Sequence, residues 1–309
     1  MLSGQRKEEL YKQGYRLAGN HSAIKVCEWT KKSLRDEDFC YKEQFYDTVC
    51  HRCVQMTPAL HVCSHRCLWC WRDIEHTIPK WAGKADDPKS IIDSCIKENA
   101  KYLEGFGGNK KTNFDKYKER FFPEQFAISL TGEPCMYPKL PELVLELRKR
   151  GINSFLVTNG TNPLMIKKLL LKKAQPTQLY ITLPAPDEET YLKCCRPLIK
   201  NGWEKINRSL KLLNKFKRNV IRLTLVKGFN MVHAEKYALL IKKYKPRFVE
   251  CKAYMHVGYS QKRLKKENMP LHSEIKEFAE KIAECSGYKI IDEKENSRVI
   301  LLEEQQFPL

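Results

Sequence analysis

The sequence predicts an α/β fold, a partial (β/α)6 barrel with an N-terminal cysteine-bearing extension. Three observations predict it. From residue 54 onward, short apolar runs rich in branched residues alternate with longer amphipathic ones, as a parallel sheet with crossover helices requires. Six such units can be counted, and 309 residues leave too little chain for a full eight-unit barrel. Each apolar run is followed by glycine, proline or polar residues of the kind found where ligands collect, at the carboxyl ends of parallel strands.

The elements follow in order. A helix is expected over 8–17, and the polar, cysteine-bearing stretch after it reads as an extension packing over the barrel. The strands are 54–62, 126–130, 154–157, 178–183, 220–226 and 248–251. The helices are 90–103, 139–150, 163–173, 188–193 continuing in 203–216, 233–243 and 273–285. The runs 288–291 and 298–302 add strands at one edge. The expected divisions are an extension over 1–53, the barrel over 54–285 and C-terminal strands over 286–309. No internal repeat or low-complexity tract interrupts this pattern.

Composition limits the function. No run of eighteen apolar residues occurs and the first thirty residues are charged, so neither a membrane span nor a secretory segment is expected. Thirteen cysteines in a lysine-rich chain, several at ligand-like spacings, favour metal ligation in a reducing compartment over a disulfide scaffold, and the expected location is the cytoplasm. The 56 Lys and Arg against 37 Asp and Glu leave a charge of +19, which points to a polyanionic partner and first to nucleic acid. The stretch 105–120, where glycines, aromatics and cations interleave, is the expected RNA-contacting loop, with Lys262, Arg263, Lys265 and Lys266 as a second basic run.

The chemistry centres on Cys63, Cys67 and Cys70, a C-x3-C-x2-C loop directly after the first strand. Structural zinc normally takes four ligands, whereas a cubane iron-sulfur cluster on three cysteines leaves one iron open to a substrate. The alternative is a zinc site completed by His65, Cys53 or His76. Strand two is followed by Thr131-Gly132-Glu133-Pro134 and strand three by Thr158-Asn159-Gly160. In the extension, Cys27, Cys40 and Cys53 are spaced thirteen residues apart, with Lys42 just after Cys40. Read alone, these are either a shared metal site or buried free cysteines. Cys50 makes a C-x2-C pair with Cys53 and leaves that ligand set open. Cys95, Cys135, Cys251 and Cys285 read as core residues, and Cys194 and Cys195 as buried or incidental.

The three-cysteine loop with its flanking aromatic resembles that of the radical S-adenosylmethionine enzymes. Gly132, Glu133 and Pro134 resemble their "GGE" element, here in a one-glycine form, and Thr158, Asn159 and Gly160 an element that helps position the cofactor. The extension cysteines with Lys42, together with Arg52–Pro58, Trp69–Arg72, Pro184–Pro186, Arg196-Pro197, Gly202-Trp203, Val249–Lys252, Tyr254-Met255 and Asn268–Pro270, narrow the resemblance to the archaeal-type tRNA 4-demethylwyosine synthases.

That resemblance implies two 4Fe-4S clusters, one on Cys63, Cys67 and Cys70 binding S-adenosylmethionine and one on Cys27, Cys40 and Cys53. It implies a reaction in which N1-methylguanosine next to the anticodon of tRNA(Phe) condenses with a two-carbon unit of pyruvate to form 4-demethylwyosine. Lys42 is the expected Schiff-base former with pyruvate, since an amine of depressed pKa attacks a keto group; the alternatives are a solvated lysine and pyruvate held by the second cluster's open iron. Electrons are expected from a separate reductase or ferredoxin, as no flavodoxin-like segment precedes the barrel. Trp69, Trp71, Phe229, Tyr254 and Tyr259 are expected stackers for a flipped base. A zinc-dependent RNA-binding protein would explain the cysteines and charge but not the six strand-end loops. Another radical enzyme, such as a protein-activating one, would leave the charge unexplained.

Overall fold

The computed structural model describes residues 4–305. The chain forms two compact units, one built from the residues up to Val62, Trp81–Val157 and Leu171–Thr177, the other from Cys63–Lys80, Thr158–Leu170 and the residues from Gln178 onward.

In the first unit, helix α1 (Gly4–Lys12) ends before Gly14, whose φ of +83° is a glycine conformation, so the helix expected over 8–17 stops short. The chain then makes two short strands, β1 (Arg16–Leu17) and β2 (Ala23–Ile24), which pair antiparallel with each other. β2 joins β3 (Cys53–Thr57) in the register Ala23 to Thr57 and Ile24 to Met56. The extension therefore contributes sheet edge, beyond the packing role expected from its polar composition. Helices α2 (Glu28–Ser33) and α3 (Tyr41–Tyr46) lie between β2 and β3 in sequence. β3 runs parallel to β4 (Gln125–Ile128), and β4 to β5 (Asn153–Thr158). β3 is shorter than the expected 54–62 because Pro58 has no N–H to continue the ladder.

The helices of this unit have legible causes. Asp87 caps α4 (Pro88–Tyr102) by accepting the Ser90 N–H, and Pro88 occupies a first-turn position where no N–H is needed. The expected loop over 105–120 contains α5 (Phe114–Lys118), whose first turn is held by the Asn113 side chain. In α6 (Leu140–Lys149), Leu140, Leu143, Val144 and Leu147 form one buried face at 3.6-residue spacing.

The second unit contains α7 (Pro163–Leu171), β6 (Gln178–Thr182), α8 (Glu188–Cys195), α9 (Gly202–Leu210), β7 (Asn219–Leu225), α10 (Ala234–Tyr244), β8 (Phe248–Ala253) and α11 (His272–Ser286). β6, β7 and β8 run parallel. Their nearly continuous burial matches strands covered on both faces. The helical stretches expected over 188–193 and 203–216 appear as α8 and a shorter α9, separated where Arg196 takes φ +43° just before Pro197. β9 (Lys289–Lys294) and β10 (Val299–Glu303) supply the expected edge, β10 antiparallel to β8 and β9 antiparallel to β10. Among the described residues, no helix is long and apolar enough to cross a membrane.

Candidate active site and cysteine centres

The Cys63–Arg72 loop belongs to the second unit and is held from two directions. On one side the Arg66 and Leu68 N–H groups donate to the carbonyls of Cys195 and Cys194, at 3.0 and 2.9 Å, and His65 bridges to Pro197. On the other, Tyr259 N–H donates to the Trp71 carbonyl at 3.1 Å, and the Arg263 guanidinium donates to the carbonyls of Leu68 and Cys70. Gly258 permits this second contact: its φ is +58° and a Cβ there would lie 2.4 Å from the Trp71 oxygen. Arg263, expected among the phosphate-binding cations, instead turns inward onto the loop.

Cys63, Cys67 and Cys70 are all half-buried. A hydrogen bond shared with Cys195, followed by burial, raises the Cys67 thiol well above its ordinary pKa. Burial, with the neighbouring Cys67, pushes Cys70 up to about 11, while the charges of Arg72 and Arg263 oppose the shift. Thiols held neutral in this way become thiolates only when a cation replaces the protons, as metal and cluster ligands must. Three cysteine sulfurs on one anchored loop fit a cubane with an open iron.

The loop after β5 is tied to the cysteine loop. Asn159 Nδ2 donates to Ser64 Oγ at 2.9 Å and faces Cys63 Sγ at 3.7 Å, while its Oδ1 accepts from the Thr161 N–H and hydroxyl. Ser64 and Thr161 hydroxyls lie 2.6 Å apart, and the Gly160 N–H donates to Thr158 Oγ1. Gly160 takes φ +74°, its Cβ position already 3.0 Å from Ile181. In the first unit, the loop after β4 is similarly constrained. Gly132 has φ +67°, and a Cβ there would lie 1.8 Å from the Ala59 carbonyl oxygen. Glu133 N–H donates to the Val62 carbonyl at 2.7 Å, and its buried carboxylate accepts from the Cys135 N–H at 3.0 Å, beside Pro134.

The extension cysteines come from separate elements, yet their thiols act on one another electrostatically. Cys27 precedes α2, Cys40 precedes α3 and Cys53 opens β3. Burial raises all three thiols, Cys40 to about 12 and Cys53 to about 11, and the Lys42 ammonium opposes the shift in each. One cation thus faces three thiols. Lys42 Nζ lies 5.2 Å from the centre of the buried Phe155 ring, and Gln125 hydrogen-bonds the Cys53 thiol. Cys50, left open by its spacing, is buried here too, its sulfur accepting the Cys40 N–H at 3.4 Å and its own N–H donating to Glu43.

Other expectations fare unevenly. Cys95, Cys135 and Cys251 are core residues, but Cys285 is exposed because it falls on the outer side of α11. Tyr254 is buried and bonded to Ser260 and His256, leaving no free face for a base, whereas Phe229 is exposed. In the expected RNA loop, Lys116 is engaged by Asp36 and Lys118 by Asp115, and Arg120 stacks on Tyr117 and Phe121; Lys110 and Lys111 are exposed. Sequence reasoning missed the inward role of Arg263 and the approach of Cys195 to Cys67; neither has a local signal, since each partner is more than a hundred residues away.

Residues 58–241 match the radical SAM superfamily, and residues 243–304 match wyosine base formation. The protein is therefore a radical SAM enzyme, a class that uses S-adenosylmethionine and a 4Fe-4S cluster. It is 48% identical over 294 residues to the S-adenosyl-L-methionine-dependent tRNA 4-demethylwyosine synthase of Pyrococcus abyssi, covering 94% of this chain and 86% of that one. To the synthase of Methanocaldococcus jannaschii it is 39% identical over 312 residues, covering 96% of each. The solved structure of TYW1 with a lysine-pyruvate adduct bound superposes with a TM-score of 0.88 at 37% identity, covering 98% of this chain and 96% of that chain. The chain belongs to the tRNA 4-demethylwyosine synthase family, tRNA-modifying enzymes of wybutosine biosynthesis.

Proposed function

We propose that the protein converts N1-methylguanosine beside the anticodon of tRNA(Phe) into 4-demethylwyosine, taking two carbons from pyruvate. What supports this reading is that the Lys42 charge acts on the thiols of Cys27, Cys40 and Cys53, three half-buried cysteines from separate elements. Cys63, Cys67 and Cys70 would hold a 4Fe-4S cluster, which would supply, when reduced, the electron for reductive cleavage of S-adenosylmethionine. Glu133 pairs with the methionine ammonium, Gly132 and Pro134 shape the strand edge around it, and Thr158, Asn159 and Gly160 hold the cysteine loop in place.

Lys42 condenses with the pyruvate keto group, its amine replacing the carbonyl oxygen, which leaves as water. The Phe155 ring and the surrounding burial limit water at the amine and favour the imine over hydrolysis. Cys27, Cys40 and Cys53 would hold a second 4Fe-4S cluster, and a separate reductase or ferredoxin would provide electrons.

The test uses anaerobically reconstituted protein, carbon-labelled pyruvate and borohydride. A trapped adduct at Lys42, together with 4-demethylwyosine in tRNA carrying N1-methylguanosine, is expected. Product formation without any adduct in the wild type would sink the imine and leave pyruvate to the second cluster. The absence of product despite S-adenosylmethionine cleavage would assign the chain a different substrate.

A further inference from the structure

The mechanism above leaves Cys195 and His65 without a chemical task, yet both are buried against a proposed cluster ligand. One ligand atom from each of His65, Cys67 and Cys195 lies within 4.8 Å of the other two. The backbone fixes this arrangement: Cys195 and Cys194 carbonyls accept from Arg66 and Leu68, and His65 bridges to Pro197, so the loop and the end of α8 form one piece. His65 Nε2 is hydrogen-bonded to Tyr191 Oη at 2.9 Å, the kind of outer partner that orients a ligating imidazole, and this leaves Nδ1 to ligate.

We propose that His65, Cys67 and Cys195 form a binding site for a borderline-soft divalent cation, zinc above all, which fills only while the cluster is absent. Two thiolates and a neutral imidazole are a common zinc donor set with water in the fourth position. Binding releases one proton from each thiol, so the dication and two thiolates sum to zero charge, which suits a buried site. The cubane on Cys63, Cys67 and Cys70 needs the same Cys67 sulfur. Zinc therefore competes with cluster assembly, a consequence that rests on the reading of Cys67 as a cluster ligand.

Cobalt(II) is the probe, added anaerobically to the cluster-free chain in which Cys27, Cys40 and Cys53 are alanine. One cobalt with tetrahedral and thiolate charge-transfer bands is expected. Those bands should persist in Cys63→Ser and Cys70→Ser, and cobalt affinity should fall by more than about tenfold in Cys195→Ser and in His65→Asn. Bands lost in Cys70→Ser but kept in Cys195→Ser would assign the metal to the loop's own three cysteines and overturn the proposal, as would no cobalt binding at all. Iron uptake by Cys195→Ser without zinc checks that the variant folds. One equivalent of zinc is then expected to block cluster formation in wild type and not in Cys195→Ser. Unimpeded iron uptake by the zinc-loaded wild type would overturn the competition. If Cys67→Ala still forms that cluster, it is the ligand reading that fails.

Discussion

The two cysteine sets offer the same donors and are built in opposite ways. Cys63, Cys67 and Cys70 occupy eight consecutive residues on one loop, and the fold's task is only to anchor that loop. Cys27, Cys40 and Cys53 come from the starts of two short helices and a strand, and they influence one another only once those elements are packed. Charge differs as well. Guanidinium groups of Arg72 and Arg263 act on Cys70, whereas a single lysine amine faces all three thiols of the extension set. An arginine stays protonated and serves as a fixed charge, but a lysine can lose its proton and become a nucleophile. On the proposed reading, the first set holds and tunes a group and the second reacts.

The largest effect expected breaks this comparison at its first half. Replacing Cys63, Cys67 and Cys70 together by alanine should lower iron in the reconstituted protein from about eight to about four per chain and abolish S-adenosylmethionine cleavage. Iron analysis and chromatography of 5′-deoxyadenosine check it, and unchanged iron would show that the loop holds no cluster. The second half is broken by Lys42→Arg, which keeps the charge and removes the nucleophile. The borohydride-trapped adduct should vanish and tRNA product fall by more than about a hundredfold, while cleavage of S-adenosylmethionine continues. Parallel loss of both activities would mean that Lys42 serves the fold.

Smaller changes sharpen it. Gly132→Ala should cost about 3 kcal/mol of stability, since the new methyl group meets the Ala59 carbonyl and the backbone is left-handed there. Chemical denaturation measures this, and a cost below about 1 kcal/mol would show that the β4 loop yields easily. Glu133→Gln should weaken S-adenosylmethionine binding about tenfold and leave iron content intact; calorimetric titration gives the affinity. The smallest effect is expected from Lys110→Ala with Lys111→Ala. The slope of log affinity for tRNA against log salt should flatten by about 1 to 2, and an unchanged slope would exclude this loop from phosphate contact.

Legibility follows the same division. The six parallel strands and their helices were readable because burial imposes a periodicity of two or 3.6 on consecutive residues. The edge strands β1 and β2 were not, since two residues each carry no period. The separation of α8 from α9 falls between the two stretches the sequence offered, and Pro197 marks it. Tyr254 looked available as an aromatic, and only its bonds to Ser260 and His256 show that it is committed.

By itself the sequence determined the α/β class, the strand-end loops and the three-thiol loop, because each of these is written in neighbouring residues. It also determined the excess positive charge, which no fold can remove. Tertiary structure alone decided that Lys42 faces Cys27, Cys40 and Cys53, that Arg263 turns from the surface onto the cysteine loop, and that Cys195 reaches Cys67. Those meetings join residues separated by up to nearly two hundred positions. Their energy comes from burial and hydrogen bonding that exist only after the chain has closed on itself.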